Sequence, residues 1–101
     1  MTKYSQGANF ERKVKKELEA LGWFVVRSAG SKGKADLVAF SGYEYLLIQC
    51  KKHGAISKDE KKQLVEISEK TNTIPILARE GGYFELQSEN TMRVYEPKDL
   101  N

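Results

Sequence analysis

Two short apolar runs, Leu37-Val38-Ala39-Phe40 and Tyr45-Leu46-Leu47-Ile48, are separated by a gap that opens with Ser41 and Gly42. Strand-forming residues on both sides of turn-forming ones predict a β-hairpin. Whether the turn is Ser41-Gly42 or wider by two residues, cross-strand partners sum to about 83 to 85, which sets Asp36 opposite position 47 to 49. Asp36 and Gln49 therefore become neighbours. Side chains recur on one face of a strand every second residue, so Gln49 and Lys51 point one way and Leu46, Ile48 and Cys50 the other. A carboxylate, an amide and an amine are thus expected at one end of an otherwise apolar hairpin, on strands rigid enough to hold a constellation in place.

The rest of the chain supplies elements that can cover such a hairpin. Phe10, Val14, Leu18 and Leu21 fall at helical spacing among charged residues, which predicts an amphipathic helix over about Ser5 to Leu21, closed by Gly22. Glu11 lies just past the edge of its apolar stripe, at the border of core and solvent. Trp23 to Val26 reads as a short strand with its aromatics in the core. Arg27 to Lys34 is a basic loop of Ser, Gly and Lys, a composition suited to phosphate oxygens. Ser57-Lys58-Asp59-Glu60 is a capping box that opens a second helix to about Lys70, with Leu64, Ile67, Ser68 and Thr71 inward and Lys58, Lys61, Lys62 and Lys70 largely outward. Ile74 to Ala78 is a buried strand with Pro75 near its start, and Gly81-Gly82 turns it into Tyr83 to Leu86. Met92 to Tyr95 adds a last short strand or covers the core. The order α-β-β-β-α-β-β predicts an α/β fold, a central mixed β-sheet flanked by helices, in a single domain over 1–101.

Composition narrows the class. With 40% hydrophobic and 31% charged residues the chain is globular rather than disordered. A net charge of +3 fits a polyanionic partner. One cysteine excludes an internal disulfide and a thiolate zinc cluster, so Cys50 reads as a small apolar residue in a reducing compartment. His53 has no His or Cys partner, and the ligands expected here are oxygens. No segment resembles a signal peptide and no apolar run approaches the roughly 20 residues of a membrane span, so the expectation is an intracellular protein without a membrane partner.

Asp36 followed by Gln49-Cys50-Lys51 resembles the Asp…(Glu/Gln)-x-Lys signature of the PD-(D/E)XK nuclease superfamily. The stretch from Arg27 through Ser28, Ser31, Lys32 and Lys34 to Asp36 and Ala39 is similar to the archaeal Hjc-type Holliday junction resolvases. An early helical Glu11, an Arg-Ser-x-x-Ser segment, the Asp and the x-Lys appear in family order. Beyond Lys52 the resemblance is one of element order.

The resemblance implies a restriction-endonuclease-like core and a metal-dependent endodeoxyribonuclease that cuts four-way junctions as a homodimer, its two sites nicking opposing strands. Mg²⁺ is the cofactor expected of carboxylate and amide oxygens, with Mn²⁺ as the alternative. Asp36 would be the main ligand, and Gln49 offers a neutral carbonyl where the family more often has Glu. The Cys50 backbone carbonyl and Glu11 would complete the shell. Lys51 would orient or deprotonate the attacking water or stabilise the phosphoryl charge, and Ser31 would contact substrate or the metal's water. Arg27, Ser28, Lys32, Lys34, Lys52 and His53 would meet the DNA. For the pairing surface, the apolar residues of the last strands are the candidates, including Ile74, Ile76, Phe84 and Tyr95. Two alternatives keep the same core: a nicking or repair-type endonuclease, and a non-catalytic DNA-binding protein, for which Gln49 is the hint.

Overall fold

The computed structural model describes residues 3–28, 35–87 and 91–101. Helix α1 (Lys3–Ala20) is followed by β1 (Phe24–Arg27), β2 (Leu37–Phe40), β3 (Tyr45–Cys50), helix α2 (Lys58–Thr71), β4 (Ile74–Arg79), β5 (Gly82–Leu86) and β6 (Met92–Tyr95). The segment from Met92, expected as strand or cover, is a sixth strand. All six pair in chain order in one sheet. Neighbours are antiparallel except β3 and β4, which are parallel because α2 carries the chain back between them.

The β2–β3 hairpin has the wider of the two expected turns. Leu37 faces Ile48 and Phe40 faces Tyr45, so partners sum to 85. Ser41 sets the loop, its Oγ accepting from the Glu44 amide at 2.8 Å, while Gly42 takes a φ of +97° that a side chain would resist.

Period-two alternation divides the core between the two faces of the sheet. Val25, Leu37, Ala39, Leu46, Ile48, Ile76 and Ala78 face α1 and pack against its Phe10, Val14 and Leu18. On the other face Leu77 and Leu86 pack against Leu64 of α2, with Leu47, Ile56 and Val65 at the margin. Helix α2 has the complete capping box expected of it, and Asn72 ends it in the left-handed conformation. Thr71, expected on the inner face, is exposed; as the last helical residue it lies past the sheet and bonds back to the Ile67 carbonyl at 2.7 Å.

Helix α1 covers its face of the sheet, whereas α2 leaves the β1–β2 half of the other face bare. Trp23 is core as expected, at 3% exposure, but Phe24 is 66% exposed. Alternation explains the difference, since Val25 takes the inward position and turns Phe24 and Val26 to the uncovered side. Phe24 stacks on Phe40 at 6.0 Å between ring centroids, and Tyr45 meets Phe40 edge-on. On the last strands Met92 and Val94 are exposed too, at 46% and 67%, whereas Ile76 is fully buried against α1 and Ile74, Phe84 and Tyr95 are half-buried.

The C-terminal residues close the far end of α1. The Trp23 indole donates to the Lys98 carbonyl at 2.8 Å, the Leu100 backbone amide to the Leu21 carbonyl at 2.7 Å, and the Asn101 side-chain Nδ2 to the Ala20 carbonyl at 2.7 Å. Gly22 permits this approach, because a Cβ there would stand 3.0 Å from that of Leu100.

Candidate functional site

Strand β3 runs on past the point where β2 begins, and the extra length builds the site. The Asp36 amide donates to the Ile48 carbonyl at 2.8 Å, the last ladder bond on that side. The next outward amide of β3 is that of Cys50, which would be left without a carbonyl. The Asp36 side chain takes the role, its Oδ2 accepting from the Cys50 N–H at 2.8 Å. This fixes the carboxylate against the backbone of the Gln49-Cys50-Lys51 triplet. Burial raises the Asp36 pKa above its ordinary value, against the Cys50 N–H and the charge of Lys51; Glu60 adds to the rise and Arg27 opposes it.

Gln49 lies on the Leu47 side of β3, the face toward α2, and is half-buried. On that same face Lys51 Nζ stands 3.1 Å from Glu60 Oε2 in the first turn of α2. Glu60 was not among the expected site residues; the one signal of it in the sequence is the capping box. Burial pulls its pKa up, but the Ser57 N–H and Lys51 outweigh that and leave it lowered.

Glu11 approaches from the α1 side, where its Oε1 accepts from Arg27 Nε at 2.9 Å. Arg27, expected at the DNA, is held in this pair with 30% of its side chain exposed. The Cys50 thiol lies on the α1 face and is kept protonated by burial and by the charges of Asp36 and Glu11, which places both carboxylates in its surroundings. Asp36, Gln49, Lys51 and Glu11 are therefore brought to one end of the sheet. Ser28 gives its amide to the Asp36 carbonyl at 2.9 Å, beside the site. Lys52 and His53 follow on exposed backbone, with Lys52 Nζ 3.9 Å from Glu80. Ser31, Lys32 and Lys34 lie outside the described residues.

Among the described residues no group of three or more His, Cys, Asp or Glu side chains is gathered as a metal cage. The donors are hard oxygens: Asp36 Oδ1, left over from the Cys50 bond, the Gln49 carbonyl and the Cys50 backbone carbonyl. Such a set fits Mg²⁺, which keeps several waters and takes one or two protein carboxylates together with substrate phosphate. It would suit a thiolate-seeking metal poorly.

The chain is similar in sequence and fold to known proteins. The crossover junction endodeoxyribonuclease Hjc of Methanocaldococcus jannaschii is 41% identical over 80 residues, which are 75% of this chain and 59% of the relative, so the chain spans about three-fifths of that relative's length. The solved structure of Archaeoglobus fulgidus Hjc, described as a Holliday junction resolvase from an archaeal hyperthermophile, superposes with a TM-score of 0.61 at 28% identity, covering 80% of this chain and 71% of that one. Residues 2–101 match the sequence profile of the archaeal Holliday junction resolvase (Hjc) family, and the chain belongs to that family.

Proposed function

We propose that the chain is a structure-selective endodeoxyribonuclease that resolves four-way DNA junctions by paired nicks, with Mg²⁺ as its metal and two copies acting together inside the cell. The observation that carries this reading is the Asp36 carboxylate clamped at 2.8 Å to the Cys50 amide, between Gln49 and Lys51. Family membership and the activities for which the two relatives are named support it.

Phosphodiester hydrolysis builds negative charge on the oxygens around phosphorus and needs a correctly placed water. Bound Mg²⁺ supplies a Lewis acid for a phosphoryl oxygen and lowers the pKa of water. Asp36, Gln49 and the Cys50 carbonyl would hold it, with Asp36 giving the sole formal charge of the three. Glu11 adds a second carboxylate from the α1 side, with Arg27 orienting it. Lys51 presents its amine to the attacking water and the phosphoryl oxygens. Ser28, Lys52 and His53 flank this end of the sheet, and together with the basic Ser31, Lys32 and Lys34 segment they are the proposed contacts with the DNA backbone. The second copy would cover the bare strip of Phe24, Val26, Phe40 and Tyr45.

The test incubates the protein and its Asp36→Asn variant with labelled four-way and matched linear DNA, with Mg²⁺ and with chelator. Paired nicks in the junction alone, absent with chelator and in the variant, are the expected result. Cutting of every substrate would remove the junction selectivity and leave a nuclease. Binding without cutting, with Mn²⁺ as with Mg²⁺, would leave a DNA-binding module and overturn the roles of Asp36 and Lys51.

A further inference from the structure

We infer that Glu60 is a positioning residue that aims the Lys51 amine at the reacting phosphate, an assignment that rests on the nuclease reading of this site. A lysine at the end of a strand has a flexible four-carbon stem and no preferred aim of its own. Glu60 gives it one. Its Oε1 accepts from the Ser57 N–H at 3.2 Å, which ties the carboxylate to the first turn of α2. Its Oε2 stands 3.1 Å from Lys51 Nζ. One oxygen is therefore anchored to a helix terminus while the other holds the amine, so the packing of α2 on the sheet sets where Lys51 points. Gln49, two residues earlier on the same face, is uncharged and cannot replace this partner. Asp36 also faces Lys51, but one of its oxygens is committed to Cys50 and the other is the one expected to meet the metal. With 30% and 40% of the two side chains exposed, the Lys51–Glu60 pair adds little to the stability of the fold. What it contributes is direction.

Two substitutions separate this role from helix capping. Glu60→Gln keeps an acceptor for the Ser57 N–H, since Gln serves in a capping box, but removes the charge from Lys51. Ser57→Ala removes the cap hydroxyl and leaves the Glu60–Lys51 pair. Under single-turnover conditions with a four-way junction and Mg²⁺, Glu60→Gln should slow cutting roughly ten- to hundredfold, the scale of a misplaced catalytic group. Its junction Kd, measured in Ca²⁺, should stay within about twofold of wild type, as expected where an interaction acts on the chemical step. Ser57→Ala should lower the melting temperature and still cut at about the wild-type rate. In a Lys51→Ala background, Glu60→Gln should cause no further loss, because residues that act as a unit are not additive. Wild-type cutting by Glu60→Gln, a loss seen mainly in Kd, a Ser57→Ala defect as large as that of Glu60→Gln, or additive losses with Lys51→Ala would each overturn the assignment while the resolvase reading stands. A wild-type protein that cuts no junction would defeat that reading first and this inference with it.

Discussion

The two oxygens of Asp36 have separate tasks: one completes the β3 ladder for Cys50, and the other would meet the metal under the proposed function. Burial raises the Asp36 pKa above the ordinary 3.8, and two consequences of opposite sign follow. Mg²⁺ would compete with the proton for this carboxylate, so the Mg²⁺ concentration for half-maximal junction cutting should rise on acidification beginning at a pH above that of an unperturbed aspartate, as read by Mg²⁺ titrations at stepped pH. For stability the raised value means that the ionised form costs the fold. Asp36→Asn should therefore melt no lower than wild type near pH 7, and its advantage should shrink as pH falls through the Asp36 pKa. Glu60 has the reverse sign. Its lowered pKa contributes stability above the ordinary glutamate value of 4.5 that is lost as pH falls through the folded value. With Gln49 in the proposed metal shell, Gln49→Glu should lower the half-saturating Mg²⁺ concentration of cutting by roughly tenfold, by adding a charged oxygen.

The elements differ in what their sequence could announce. The β2–β3 hairpin was legible to within two residues of register, because the run lengths and Ser41-Gly42 restrict the turn, and from that register the meeting of Asp36 with Gln49 followed. Helix α2 was legible from its capping box. Its inner end was not, because Thr71 continues the helical period beyond the sheet that would bury it. Phe24 misled in the same way: alternation is readable in a strand, but which face a helix covers is decided by the length and placement of an element more than 30 residues away. Glu60 announced a cap and nothing more, since its second contact, with Lys51, crosses from helix to strand. At this scale two substitutions test the packing. Leu64→Ala should cost about 2–5 kcal/mol in denaturant unfolding, as for a buried leucine with 1% exposure. Ser57→Ala should cost about 1 kcal/mol, the usual worth of an N-cap.

For the whole molecule the unequal cover of the sheet matters most. Phe24, Val26 and Tyr45 are 66%, 44% and 47% exposed on one side of β1–β3, a larger apolar surface than scattered single residues make. Sedimentation of the wild type should show self-association that Phe24→Glu weakens by on the order of a hundredfold, as placing an unpaired charge in an apolar contact does. If the pairing aligns two active sites, the same variant should lose paired nicks before it loses single ones.

The clasp on α1 bears on the order in which a ribosome delivers the chain. Trp23 and the Lys98 carbonyl that it bonds are 75 residues apart, so at about 5–20 residues per second the indole waits several seconds for its partner. Once Cys50 has followed, 27 residues after Trp23, the hairpin that bears Asp36 and Gln49 has all the sequence it needs for the rest of that interval. The clasp on α1 is therefore the last of these contacts to close, and the emission of Trp23 is a clock for that final stage.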